Sequence, residues 1–259
     1  QDDPVKFRKI NILKQRIGQK GDLMGTGHFF FPGNGYRCNI HLCPSYDIDN
    51  RKSLDFLTAV CKKDSKSAHF FVPPCSCIFL KKCMDEGIPL RPVSVNLSRV
   101  GFYNPNLFHT LCEIADRYQI PRKYLELEIT ETAYATDSEM IFSVVEKLRQ
   151  GGFRILMDDF GSGYSSLNML KEAPIDEIKL DMRFLSAADP YGRAEEILHM
   201  IITMGNHMKL SIIAEGVETE QQKVMLQGFG CNKAQGYFYA RPMREAEYTE
   251  LLRKEKAEN

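Results

Sequence analysis

From Pro89 to the C-terminal end, strand-like and helix-like segments alternate about six times, and this alternation constrains the fold more than any other feature of the sequence. The apolar residues of 138–150 recur at helical spacing and predict a helix, for example, whereas the segments 153–157 and 234–239 are predicted to be strands. Thr219 is predicted to cap the helix that follows it. Such alternation is typical of parallel strands joined by crossover helices. Two architectures fit this pattern, a closed (β/α)₈ barrel and an open, doubly wound sheet.

Each predicted strand carries a polar or charged residue within it or at its end, and these residues decide between the two architectures. In a barrel the carboxyl ends of all strands meet at one mouth, where barrel enzymes do their chemistry. An open sheet would spread several of them far apart. We therefore predict an α/β fold, a (β/α)₈ TIM-like barrel whose opening units come from residues before Pro89. The residues expected at its mouth are Asn96, Glu128, Asp158, Lys179, Glu215 and Gln235.

The segment 155–165 reads ILMDDFGSGYS and places two adjacent carboxylates at the end of a short apolar strand. Two acids at the mouth of a buried strand are costly unless a cation lies beside them. A pair of divalent metal ions would supply that cation. An Asp-rich turn that caps the next helix through Ser162, Ser165 or Ser166 accounts for this stretch equally well.

The side chains expected at the mouth are mainly carboxylates and amides. Their oxygen atoms suit Mg²⁺ or Mn²⁺ rather than zinc, because neither His nor Cys joins the set. Two such ions could polarise a phosphate and generate hydroxide for in-line attack. Taken alone, Lys179 or Gln235 is better explained by a salt bridge or hydrogen bond at the rim. The occurrence of the whole set on successive strands favours the two-metal site.

The overall charge gives no indication of a polyanionic partner. Lys plus Arg and Asp plus Glu both number 34, so the net charge of zero creates no general attraction to DNA or to an anionic membrane. No apolar run reaches membrane-spanning length, and we expect no membrane segment. The start at Gln1 is not a signal peptide, and we expect a chain without an initiator Met to be either a fragment or a processed form. We expect a cytoplasmic location, as the cytoplasmic part of a larger sensor.

Residues 1–78 form the least regular part of the sequence. Six of the eight cysteines lie between Cys38 and Cys83, at spacings that match no zinc site, so we predict scattered free thiols. Weak patterns suggest a strand at 9–13, a helix at 54–61 and the last turns of a helix at 76–83. We expect 1–78 to be an atypical N-terminal segment that supplies the first βα units, and 79–259 to be the barrel body.

Six motifs resemble, in order and spacing, those of the EAL domain family, bacterial phosphodiesterases that linearise cyclic di-GMP. The resemblance covers about residues 79–242. Together the motifs are highly specific, although any one alone would be weak. They read SVNLS at 94–98, LEITE at 127–131, DDFGSGYS at 158–165, IKLD at 178–181, IAEGVE at 213–218 and QGY at 235–237.

The resemblance implies a two-metal barrel with Mg²⁺ or Mn²⁺ as cofactor, cyclic di-GMP as ligand and a homodimer as the assembly. The ligands of the first metal would be Asn96, Glu128 and Asp158, and Asp159 would bind the second. Lys179 is similar to the lysine that handles the catalytic water. Regulatory domains would lie outside this chain.

The remaining implied site residues surround the substrate and a loop at 160–165. Glu215 and Gln235 would complete the pocket, and Glu131 would anchor the loop with support from Glu218. The implied catalytic residues are thus Lys179, Glu215 and Glu131, and the implied substrate-binding residues are Gln235, Gly161 and Ser162.

The Glu-Ala-Leu motif that names the family is absent from this sequence. In the family its Glu completes the first metal's ligands, and an Arg shortly after it grips a substrate phosphate. Two interpretations remain: a degenerate barrel that binds cyclic di-GMP or a protein without turnover, or an N-terminal third that departs from the natural reading frame. For the chain as it stands we predict weak or absent hydrolysis to pGpG. A barrel acting on another phosphodiester or a phosphosugar is less favoured by the motif order.

Overall fold

The computed structural model describes residues 29–30, 37–38, 40–48, 53–61, 72–136, 138–161, 167–182 and 191–258. Strands and helices alternate along these ranges. The strands are β1 Phe29–Phe30, β2 Arg37–Cys38, β3 Ile40–Asp47, β4 Ser53–Cys61, β5 Val93–Asn96, β6 Leu125–Thr130, β7 Arg154–Phe160, β8 Glu177–Asp181, β9 Ser211–Glu215, β10 Lys233–Gln235 and β11 Met243–Arg244.

Helices follow most of the strands. They are α1 Val72–Asp85, α2 Arg99–Phe102, α3 Leu107–Arg117, α4 Glu131–Thr136, α5 Ser138–Gln150, α6 Leu167–Glu172, α7 Ala194–His207, α8 Glu220–Gly228 and α9 Glu245–Glu258, with a 3₁₀ turn at Arg122–Tyr124. None of the helices in these ranges is long and apolar enough to cross a membrane.

The sheet closes into a barrel. Strands β4 to β10 lie side by side in chain order and each pairs in parallel with the next. β3 then pairs antiparallel with both β4 and β10, and Ala234 lies opposite Tyr46 where the two ends of the sheet meet. This closure confirms the predicted TIM-like barrel and excludes the open sheet. β11 is attached to β3, and β1 and β2 form a separate small sheet.

The segment that lacks family motifs supplies two strands of this barrel. β3 and β4 together run from Ile40 to Cys61. The helix predicted at 54–61 is therefore wrong, because this segment is β4. β4 is hydrogen-bonded to β3 on one side and to β5 on the other, and this strand pairing overrides the weak helical pattern of the segment.

Two strand predictions needed corrected ends. β7 does not stop at Met157 but continues to Phe160, so both aspartates lie within the strand. The strand predicted at 234–239 ends at Gln235. The next residue, Gly236, lies against the loop that follows β9, and an added Cβ there would be 2.2 Å from the Val217 carbonyl oxygen. The chain turns away from the sheet at this point.

The other predicted elements agree closely with the structure. The helix predicted at 138–150 is α5, whose Ile141, Val145 and Leu148 are fully buried against the barrel. Thr219 caps α8 as predicted, and it forms a capping box with Gln222. These local signals depend on neighbouring residues in the chain, so the sequence alone was sufficient to find them.

The end of the barrel opposite the mouth holds a buried ionic cluster. Arg154 lies 2.7 Å from Glu126 and 3.2 Å from Glu177, and Lys233 lies 2.9 Å from Glu177. All four residues stand at or near the first positions of their strands, where barrel residues usually serve stability. Burial raises the pKa of Glu126 to about 8, although Arg154 opposes this shift.

The cysteines whose side chains the structure describes carry free thiols, as predicted, and they are buried. They are Cys75, Cys77, Cys83, Cys112 and Cys231. The side chains of Cys38, Cys43 and Cys61 and the strand predicted at 9–13 lie outside the described part of the chain.

Candidate active site

The strand register brings the predicted polar residues to one mouth of the barrel. Asn96 at the end of β5 is level with Glu128 on β6. Across the barrel, Glu215 at the end of β9 is level with Gln235 at the end of β10. Asp158 on β7 lies opposite Thr130, two residues beyond Glu128. The parallel strands thus direct these residues toward the same end of the barrel.

Lys179 lies at the centre of this mouth and is almost fully buried. Its Nζ is 2.6 Å from Glu128 Oε1, 2.7 Å from Glu215 Oε1 and 3.5 Å from Asp158 Oδ1. Three carboxylates from three strands therefore surround one ammonium group. Each of these acids would be expensive to bury without this cation.

Glu128 is held at both of its carboxylate oxygens. The hydroxyl of Ser94 donates a hydrogen bond to Oε1, the oxygen that Lys179 also contacts. The amide Nδ2 of Asn96 donates to Oε2 at 2.7 Å. Ser94 was missed by the sequence analysis. It could have been found, because residues two apart on a strand face the same side and Ser94 precedes Asn96 by two.

The charges at the mouth determine which groups hold protons. Burial alone would lower the pKa of Lys179, but Asp158, Glu128 and Glu215 outweigh it and raise that pKa well above its usual value. Burial raises the pKa of Glu128, and Lys179 opposes that shift. Burial likewise raises the pKa of Glu215 to about 7. Lys179 therefore stays protonated, whereas burial makes the Glu215 carboxylate a stronger proton acceptor than an exposed glutamate.

The adjacent acids differ in backbone conformation. Asp159 has a φ of +58°, in the left-handed region that non-glycine residues seldom adopt. Its backbone N–H donates to Asp158 Oδ1 at 3.0 Å. Such a conformation costs on the order of 1–3 kcal/mol, and residues that adopt it cluster at functional sites.

Glu131 connects α4 to the loop that follows β7. It is buried, and its Oε2 accepts a hydrogen bond from the Gly161 backbone N–H at 3.1 Å. Ser162, the next predicted site residue, lies outside the described residues. Glu218 is exposed just before α8, where its backbone N–H donates to the Gln222 side chain at 2.7 Å.

The donor chemistry of the mouth fits a hard divalent cation. Glu128, Asp158 and Asp159 offer carboxylates and Asn96 offers an amide oxygen. Gln235 adds a buried Oε1 that accepts no hydrogen bond from the described residues and so is available to a ligand. Within the described residues no three acidic, His or Cys side chains form a ready-made metal site, and the ammonium of Lys179 lies among the carboxylates instead.

The opening strand contributes no glutamate to this set. β4 reads SLDFLTAVC, and its Thr58 pairs with Ser94 in the register.

Comparison with known proteins identifies the class to which this barrel belongs. The family model of the EAL domain matches residues 77–242. Cyclic di-GMP phosphodiesterase NbdA of Pseudomonas aeruginosa is 40% identical over 161 residues, which is 62% of this chain and 21% of NbdA. The EAL domain of Mycobacterium smegmatis DcpA superposes with a TM-score of 0.75 at 27% identity, over 83% of this chain and 96% of that one.

A further solved structure is a complex with a ligand. PaMucR phosphodiesterase bound to cyclic di-GMP superposes with a TM-score of 0.74 at 27% identity, over 82% of this chain and 94% of that one. The chain belongs to the EAL domain family. It spans between about a fifth and a third of the length of its curated relatives, from 21% to 29%.

Proposed function

We propose that this chain is a metal-dependent phosphodiesterase that hydrolyses cyclic di-GMP to linear pGpG in bacterial second-messenger signalling. The observation that carries the proposal is the contact of Lys179 with carboxylates from three strands at the mouth of an EAL barrel. NbdA is named for this activity, and PaMucR is a phosphodiesterase in complex with this nucleotide, which supports the choice of substrate.

Two divalent ions, Mg²⁺ or Mn²⁺, would be held at the mouth. Asn96, Glu128 and Asp158 would bind the first ion, and Asp159 would bind the second. When bound, such ions polarise a phosphate oxygen and lower the pKa of coordinated water. The described carboxylate and amide oxygens have the chemistry for this task, although the sequence of β4 contains no glutamate.

The protonation states of Lys179 and Glu215 indicate different roles for the two side chains. A lysine whose pKa is raised this far remains an ammonium, so it can orient water or phosphate but cannot remove a proton. Burial raises the pKa of Glu215, which favours this carboxylate as the group that accepts a proton from the attacking water. We assign Lys179 to water positioning and Glu215 to proton transfer.

The remaining site residues are assigned to the loop and the substrate. Glu131 holds the Gly161 backbone and would fix the entry of the loop, with Glu218 as a supporting residue. Gly161, Ser162 and Gln235 would contact the substrate. The uncommitted Oε1 of Gln235 is a suitable acceptor for a nucleotide donor group.

A second function, binding of cyclic di-GMP or of a protein without turnover, is favoured by one observation. β4 lacks the glutamate that would complete the first metal's ligands. Such a barrel would retain the Lys179 cluster as a purely structural ion network. Nucleotide binding without pGpG formation at any metal concentration would establish this alternative.

We also propose that the chain works as part of a larger, dimeric protein in the cytoplasm. Residues 1–78 would supply the opening barrel strands and 79–259 the barrel body, with a regulatory domain elsewhere in the protein, since the relatives are several times longer. The exposed side of α7 supports a homodimer. Met200 is 70% exposed there, and Ile197 and Met208 lie on the same side of the helix.

Product analysis tests the activity directly. The chain is incubated with cyclic di-GMP and Mg²⁺ or Mn²⁺, and pGpG is measured by chromatography for the wild type, Asp158→Asn, Lys179→Ala and Lys147→Ala. Lys147 lies on α5 beside Phe108 and serves as a control for loss of a lysine. We expect slow turnover in the wild type and in Lys147→Ala, and none in the other two. Equal rates in all four proteins would contradict the proposal.

A further inference from the structure

The segment after β10 lies at the rim of the mouth. Since β3 runs antiparallel to β10, the residues of β3 that precede Tyr46 extend beyond Ala234 toward the mouth. Met243 on β11 pairs with Leu42, four residues along β3 in that direction. The turn between Gln235 and β11 is therefore part of the rim.

This rim turn is held firmly in place. The Phe238 backbone N–H donates to the Val217 carbonyl at 3.0 Å, and the Gln235 carbonyl accepts from the backbone N–H groups of Gly216 and Val217. The Tyr239 ring stacks on the Tyr46 ring of β3 at a centroid distance of 5.2 Å. The backbone of this turn is thus held at a fixed position relative to Gln235.

Two of these side chains form an exposed aromatic–cation pair. The guanidinium carbon of Arg241 lies 4.9 Å from the centroid of the Tyr237 ring, and Tyr237 is 37% exposed. Among the described residues, Arg241 has no carboxylate within salt-bridge distance. Its charge is therefore available, whereas that of Lys179 is shared among three carboxylates.

We propose that Arg241 and Tyr237 form the phosphate- and base-contacting element of the substrate site. The guanidinium would take a phosphate of the cyclic dinucleotide, and the tyrosine ring would stack on a base. This assignment rests on the proposed function, because it takes cyclic di-GMP as the ligand.

The test is equilibrium binding of cyclic di-GMP by calorimetry in EDTA, which separates binding from turnover. The variants are Arg241→Ala, Arg241→Lys, Tyr237→Ala and Tyr237→Phe. The matched control is Lys123→Ala, since Lys123 lies 5.2 Å from the Tyr124 ring just before β6, at the other end of the barrel. Melting temperatures within a few degrees of the wild type verify that each variant is folded.

We expect Arg241→Ala to weaken binding about tenfold and to reduce its salt dependence, because a phosphate contact is lost. Arg241→Lys should retain part of the affinity and Tyr237→Phe all of it, whereas Tyr237→Ala should bind several-fold more weakly. Arg241→Ala binding within twofold of a binding wild type would overturn this assignment and leave the proposed function standing. Absence of binding in the wild type and in Lys123→Ala alike would overturn this assignment, whereas the proposed function is overturned only by the product analysis with Mg²⁺ or Mn²⁺.

Discussion

Lys179 on β8 lies 2.6 Å from Glu128 on β6, and both side chains are almost completely buried. Their strands are separated by β7, so the contact crosses the interior of the barrel. Breaking a buried pair by removing one partner leaves an uncompensated charge, whereas a metal ion could replace the missing cation. We therefore expect the stability of the barrel mouth and its affinity for divalent metal ions to be linked.

Replacing Lys179 by methionine should destabilise the metal-free protein and increase its response to metal. Loss of the ammonium leaves three carboxylates without their cation, which costs about 3–5 kcal/mol. We expect the melting temperature in EDTA to fall by about 10 °C. Mn²⁺ should restore most of this loss and should stabilise the variant more than the wild type. Calorimetric scans with and without Mn²⁺ measure the effect, and an equal Mn²⁺ response in both proteins would disprove the link.

Ser94→Ala should weaken metal binding without unfolding the protein. Ser94 donates a hydrogen bond to Glu128 Oε1, whereas Asn96 donates to Oε2. Removing a residue that orients a metal ligand typically lowers the affinity for the metal by about 10–100-fold. We expect at least about a tenfold rise in the Mn²⁺ dissociation constant, measured by electron paramagnetic resonance.

Two further variants separate this positioning role from a general loss of packing. Ser94→Thr retains the hydroxyl and should bind Mn²⁺ nearly as the wild type does. Ser76 is a buried serine on α1, away from the mouth, and Ser76→Ala should leave Mn²⁺ affinity unchanged. A comparable loss in Ser76→Ala would mean that Ser94 acts only through stability.

Glu126→Gln should flatten the pH dependence of stability. The folded state raises the pKa of Glu126 from 4.5 to about 8, so it binds the proton more tightly than the unfolded chain does. This contribution is complete below about pH 4.5 and is lost as the pH rises toward 8, by up to about 5 kcal/mol. Urea unfolding in EDTA between pH 5 and 8 should show a steeper decline for the wild type than for Glu126→Gln. The exposed Glu113→Gln should keep the wild-type slope.

Gly236→Ala should damage the mouth far more than a matched substitution nearby. A Cβ at Gly236 would lie 2.2 Å from the Val217 oxygen and 2.4 Å from its nitrogen, so the backbone that carries Gln235 must move. We expect a loss of about 2–3 kcal/mol in the free energy of unfolding. At Gly228 an added Cβ meets nothing within 4 Å, so Gly228→Ala should be neutral or slightly stabilising. Equal denaturation midpoints for the two variants would contradict the crowding at Gly236.

The alternation after Pro89 was sufficient to predict parallel strands with crossover helices, because local patterns reflect which residues must be buried. The polar residues on successive strands then favoured the closed barrel over the open sheet. Helix α5 and the Thr219 cap could be read directly, since their signals lie within a few consecutive residues. β4 could not, because a strand in a weakly patterned segment is defined by its neighbours in the sheet. The early end of β10 likewise depends on a contact between Gly236 and Val217 that no local pattern records.

The sequence by itself determined which chemical groups this protein brings to its site: the acids, amides and lysine on successive strands, and the motifs that place the chain in its family. Only the tertiary structure decided how those groups share their charge. It set Lys179 among three carboxylates, placed Ser94 against Glu128 and brought Arg241 over the Tyr237 ring. The physical reason is that protonation and hydrogen bonding depend on distance and burial, and these are set by the closure of the barrel rather than by position along the chain.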